Sequence, residues 1–325
     1  MYIAKNNLLK IFVLVIFITA FLITNVISQE PYPNRPLTVA VTVGPGMQDT
    51  VTRAICNIAE REIGQPILVE NKPGAAGTLG LNYVLNSKPD GYTLAAPATS
   101  AYIIIPHMRK VPYNPLKDPV DITTIFKYNF ALAVRADAPW STYGDLIAYA
   151  KNNPGKFKYS TAGIGRPQHI AMEWIAMKEG IKWTHIPFNS GGESVTACLG
   201  GHTDATAQGS ADLIPYIKAG KLRLLLILED TRWPAMPDVP SMRDKGYDFF
   251  AMAYVSITAP KGVSESIIKR LEDVFNRAKR EPSFIEMLKK FQVDVGTLGG
   301  KEYSDLWRSK YDEMGKVIKA LGLQQ

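Results

Sequence analysis

From Leu37 onward, apolar residues follow two alternating rhythms. LTVAVTV (37–43) is an unbroken apolar run with β-branched residues, as in a strand covered on both faces. Ile55, Ile58, Ala59 and Ile63 then recur at helical spacing, with Asp49 placed to cap the helix start and Gly64 to end it. PILVEN predicts a second strand and PGAAGTLG a turn into another helix. YTLAAPA predicts a third strand after the Pro89-Asp90-Gly91 turn. A second series opens near residue 130. Its strands are FALAVR, FKYSTAG, WTHIPF, TDATAQ and KLRLLLIL, and helices lie between them. Ser141 is placed to cap the first of these helices, and Pro154-Gly155 terminates it. After the Pro-rich stretch TRWPAMPDVPSMRDKGYD, the strand FFAMAYVSITAP ends at Pro260. Two helices follow, about 264–280 and 302–320, with a shorter one between.

Strand–helix repetition predicts an α/β fold of two lobes, each a mainly parallel sheet flanked by helices. Crossings near residues 130 and 255 place 29–130 and 256–325 in lobe one and 131–255 in lobe two. Two lobes joined in this way form a clamp around a cleft.

The N-terminal segment belongs to a different class. Lys5 and Lys10 precede an apolar run from Ile11 to Ile23, and Val26-Ile27-Ser28 offers a cleavage site. Residues 1–28 therefore predict a secretory signal peptide, with a retained membrane anchor as the alternative. Export places the protein in the periplasm, where nucleotide cofactors are not supplied. It also permits a disulfide, but Cys56 and Cys198 fall in separate helices and predict two buried thiols. The chain has 325 residues and a net charge of +7, with its positive residues interspersed among acids. That is a solvated surface, without the basic stripe of a nucleic-acid binder.

Candidate chemistry concentrates in turns. Gly44, Gly46 and Asp49 give G-x-G-x-x-D where a dinucleotide site needs a third glycine, and Asp49 would repel a pyrophosphate. No G-K-[ST] follows, so neither a nucleotide nor any other cofactor is expected. Exposed N–H groups at a helix start do suit a carboxylate. STAGIGRPQH (160–169) and IPFNSGGES (186–194) repeat the device in the second half, which suggests facing lips of one cleft. His107, His169, His185 and His202 form no metal-binding spacing, and no G-x-S-x-G elbow appears. Trp140, Trp174, Trp183 and Trp233 fall in or beside elements and predict core positions.

Several stretches occur together and in order: YPNRPLTVAV, GMQDTVTR, GQPILVENKPGAAGTLG, KPDGYTL, STAGIGRPQH, IPFNSGG, GGHTDA, IKAGKLR and MPDVPSMRDKGY. Their wording resembles the periplasmic solute-binding receptors of tripartite tricarboxylate transporters, the Bug-type or TctC-like family, over nearly all of the mature chain. The resemblance implies a Venus-flytrap fold, with the helices after residue 260 packing back on lobe one, and capture of a small carboxylate between the lobes. It places ligand-facing loops at 44–49, 74–77, 98–101, 163–169, 187–192 and 208–210. The expected ligand-binding residues are Gly46, Met47, Asp49, Ala76, Thr99, Ser100, Gly165, Arg166, His169, Asn189, Ser190 and Gln208. Asp49 is expected to cap its helix and organise water, and His169 to cap its helix or line the cleft.

The sequence departs from the family pattern at Pro45, Met47, Arg166, Phe188-Asn189-Ser190 and Gln208. Arg166, where a small hydroxyl residue is usual, offers a fork for a second carboxylate. The implied function is that of a non-catalytic, monomeric receptor that hands a small organic anion to membrane transporter subunits. A sensor docking on a membrane signalling protein and an exported enzyme are the competing classes.

Overall fold

The structure, a computed structural model, describes residues 32–324. The expected export signal, residues 1–28, lies outside the described residues. Among the described residues no helix is long and apolar enough to cross a membrane.

The first strands form where the apolar runs predicted them: β1 (Leu37–Val41), β2 (Ile67–Asn71) and β3 (Thr93–Ala96). β1 lies between the other two in parallel register, Val39 pairing with Val69 and Leu94. The helix Met47–Ile63 buries Val51, Ile55, Ala59 and Ile63, one residue per turn on a single stripe. Each large apolar side chain so buried stabilises the fold by about 1.5–3 kcal/mol. Gly64 closes this helix in the left-handed conformation at φ 77°. Its start differs from the expectation. Gly46 is the N-cap and Asp49 lies inside the first turn, where its carboxylate accepts from Arg53 and Asn71.

Then come β4 (Pro119–Lys127), β5 (Phe130–Arg135), β6 (Lys158–Thr161), β7 (Thr184–Pro187), β8 (Ala205–Gly209), β9 (Leu222–Ile227), β10 (Tyr254–Pro260) and β11 (Asp294–Val295). They complete two sheets, ordered β11-β4-β10-β3-β1-β2 and β7-β6-β8-β5-β9. The two-lobed α/β class stands, but both sheets are mixed. β10 runs antiparallel to β3 and β4, and β5 runs antiparallel to β8 and β9. The reason is topological: β4 runs straight through Tyr128-Asn129 into β5 of the other sheet, and β10 carries the chain back. The crossings are stitched side by side. Tyr128 N–H donates to Ala253 O (2.8 Å) and Ala251 N–H donates to Leu228 O (2.8 Å).

Smaller differences are local. Thr142, not Ser141, caps the helix Tyr143–Asn152, in a capping box with Asp145. The predicted 302–320 helix is two, Gly300–Ser309 and Tyr311–Ala320. The first of these is fastened to the sheet by buried Asp121, which accepts from Trp307 Nε1 (2.9 Å), Ser304 Oγ (2.9 Å) and Thr258 Oγ1 (2.9 Å). One apolar cluster runs without a break from Tyr102, Ile105 and Met108 to Ile170 and Trp174. Trp140, Trp174, Trp183 and Trp233 are buried, as are the free thiols Cys56 and Cys198.

Candidate functional site

Between the two sheets lies a cleft of about 410 Å³. Residues 43–48 with Ala98 and Ser100 form one wall. The other wall comes from Ala162, Arg166–Gln168, Asn189–Gly191, Gln208–Gly209 and Asp212, and Tyr128 and Ala253 of the crossings also line the cleft. Four helices begin at this hollow, because their N-caps Gly46, Arg166, Ser190 and Gly209 all line it. Each helix start presents unpaired N–H groups and about half a positive charge. Chain direction explains the convergence: parallel strands leave each sheet at the same edge, so the helices that follow start at that edge.

The lip at residues 43–48 is held from behind. Asp49 accepts from Arg53 Nε (3.0 Å) and from Asn71 Nδ2 (2.9 Å), and Asn71 Nδ2 also donates to Val43 O (3.1 Å). Gln48 is anchored by donating to Ala96 O (2.8 Å). Opposite, Ser190 Oγ accepts from Glu193 N–H and so caps its helix. Gln208 donates to Ser194 Oγ (2.7 Å), which is bonded to Thr206.

Of the residues expected to bind ligand, Gly46, Met47, Ser100, Arg166, Asn189, Ser190 and Gln208 line this cleft together. The other five stand elsewhere. Asp49 is buried behind the lip in its network with Arg53 and Asn71. Ala76 is exposed on the 74–77 loop, where Ala75 and Ala76 hold left-handed φ of 48° and 55°. Thr99 is buried behind Ser100, clasping Tyr254 N–H (2.8 Å) and Tyr303 Oη (2.9 Å). Gly165 packs on the other lobe, where a Cβ would meet Met108 and Ile105. His169 is buried and accepts Gly165 N–H at Nδ1 (3.3 Å), with its ring 4.1 Å from that of His185. Burial lowers the His169 pKa to about 3, helped by His185, and burial lowers that of His185 to about 4; both rings are neutral at pH 7.

The cleft also contains residues that were not singled out: Gln48 and Gln168, which lie within the expected loops 44–49 and 163–169, and Tyr128, Phe130 and Asp212, which lie outside every expected loop. Asp212 had one local signal, an acid in the first turn of a helix, but that signal fits any helix start.

Two sheets sharing a hollow define an α/β clamp of the periplasmic-binding-protein class. Residues 51–323 match the tripartite tricarboxylate transporter family receptor, TctC, and the chain belongs to this family of periplasmic solute-binding receptors. It is 36% identical over 298 residues to the UPF0065 protein in the gbd 5' region of Cupriavidus necator, covering 91% of this chain and 90% of that protein. It resembles a TctC solute-binding protein from Polaromonas at a TM-score of 0.77 and 27% identity, over 89% of this chain and 99% of that one. It also resembles MatC from Rhodopseudomonas palustris, solved with bound malate, at a TM-score of 0.76 and 25% identity. That match covers 88% of this chain and 100% of that one.

Proposed function

We propose that this receptor captures a small organic anion, a carboxylate, in the cleft and delivers it to membrane transporter subunits without chemical change. The convergence of four helix N-termini on one hollow, with the Arg166 guanidinium beside them, carries the reading. The malate held by MatC supports it. Residues 1–28 direct export, and the mature chain acts in the periplasm as a monomer. Residues 29–130 with 256–325, and residues 131–255, form the two lobes. They close by hinge bending at the stitched crossings beside Tyr128 and Ala253, where few backbone angles need to change. Ligand contacts made to both lobes at once stabilise the closed form.

A thermal-shift screen of mono-, di- and tricarboxylates tests this. A ligand at 100 times its dissociation constant adds about 2.7 kcal/mol of stability, a clear rise in melting temperature. If no organic acid raises it, the anion reading fails. If a bound acid is converted, as followed by mass spectrometry, the receptor reading fails.

A further inference from the structure

The second wall of the cleft carries charges of both signs, neither in an ion pair among the described residues. Arg166 is half-buried and forms no ion pair among the described residues. Asp212, also half-buried, sits in the first turn of the helix Ser210–Lys218. Its carboxylate lies against Gly191, where a Cβ would run into it, and near Gly209. Burial alone pushes its carboxyl above the ordinary range, and no hydrogen bond or neighbouring cation offsets that. Gln168 is 3% exposed, and its amide oxygen has no hydrogen-bond partner.

Arg166, Asp212 and Tyr128 all line the same cleft. Burial raises the Tyr128 pKa, Arg166 pulls it down and Asp212 pushes it up. The two poles share a single site, because Arg166, Gln168 and Asp212 line one hollow. A desolvated carboxylate and a buried unpartnered amide oxygen are each unfavourable in an empty protein. Both are acceptors. A plain carboxylate ligand would satisfy neither and would be repelled by Asp212, whereas an attached cation reverses that repulsion.

We infer that the ligand of this cleft is an organic acid that also carries a protonated nitrogen, with Arg166 and the helix N-termini taking the carboxylate and Asp212 with the Gln168 amide oxygen taking the ammonium. This assignment rests on the anion-receptor reading above and narrows it.

Calorimetric titration of the purified protein with two matched series tests it. The probes are succinate, malate and aspartate, and glutarate, 2-hydroxyglutarate and glutamate. In at least one series the ammonium member binds about tenfold or more tighter than its two partners. Asp212→Asn erases that preference, weakening the ammonium members about tenfold or more and leaving the nitrogen-free members as tight as in the native protein or tighter. Gly191→Ala, which displaces the Asp212 carboxylate but keeps its charge, weakens the same preference. Asp212→Asn also raises the melting temperature of the unliganded protein, because it removes a desolvated charge; a purely structural aspartate would give a fall. Nitrogen-free acids binding as tightly as their ammonium counterparts, or a preference unchanged in Asp212→Asn, overturns the inference and leaves the anion reading standing. If neither these six probes nor any acid of the wider screen binds, both fall together.

Discussion

The wall formed by residues 43–48 presents backbone amides, Pro45 and Met47, and its one buried amide side chain, Gln48, is tied to Ala96. The wall formed by residues 162–212 presents Arg166, Gln168, Asn189, Gln208 and Asp212. The first wall offers N–H groups that any carboxylate can use, held in place by Asp49, Asn71 and Arg53 behind it. The second offers charged and amide side chains, to which acids of different charge and shape would bind differently. In the proposed reading the helix starts of both walls give general affinity for an anion, and the side chains of the second wall give discrimination. Substitutions on the two walls should differ in kind: backbone capture survives loss of a side chain, and side-chain recognition does not.

The largest expected effect comes from detaching the second wall from its support. Gly165 holds a left-handed φ of 75° against Met108 and Ile105 of the other lobe. Gly165→Ala combines backbone strain with a steric clash and is expected to lower stability by about 2–4 kcal/mol, read as a reduced urea midpoint. Next is Arg166→Ala. Loss of a charged hydrogen bond of about 1.5–3 kcal/mol weakens the binding of a carboxylate ligand by one to two decades in calorimetry. Unchanged affinity would remove Arg166 from the recognition wall.

Acid acts on the same wall through its buried histidines. His169 and His185 have folded pKa values of about 3 and 4, below the ordinary 6.5. As pH falls below 6.5 the unfolded chain takes up protons that the folded chain refuses, so stability is full above 6.5 and declines toward pH 4. Each histidine contributes up to about 1.4 kcal/mol per pH unit in that window. Glu229 opposes part of this. Burial raises its carboxyl to about 7, so its contribution declines as pH rises from 4.5 to 7. The informative measurement is the difference between the native protein and His169→Gln: the variant should show a flatter loss of stability between pH 6.5 and 4. The smallest effect is expected on the first wall, where Met47→Ala should change affinity less than about threefold, because the neighbouring amides do the binding.

The sequence made the scaffold legible and the second wall only partly so. Hydrophobic rhythm located the strands because each buries an apolar run, but rhythm carries no direction. β5 and β10 read as members of parallel sheets, yet both run antiparallel to their neighbours after the chain crosses between lobes. The glycine corners at 44–46 and 191 were visible as turns that start helices, and both line the cleft. Helix starts were less exact. Asp49 has the chemistry of a cap, but Asn71, 22 residues away, draws its carboxylate into a network instead. Thr99 sits next to Ser100, yet its hydroxyl is claimed by Tyr254 and by Tyr303, more than 200 positions away. Gln168 falls within the expected loop 163–169, but Asp212 becomes a site residue only because helix starts meet in space, and no local pattern records that meeting.

The most direct test of the central claim is a crystal structure of the protein with the tightest-binding acid from the screen. One carboxylate is expected between the amides of residues 44–48 and the helix starts at Arg166 and Gly191, with both lobes in contact with it. A ligand bound outside this cleft, or held by one lobe alone, would contradict it.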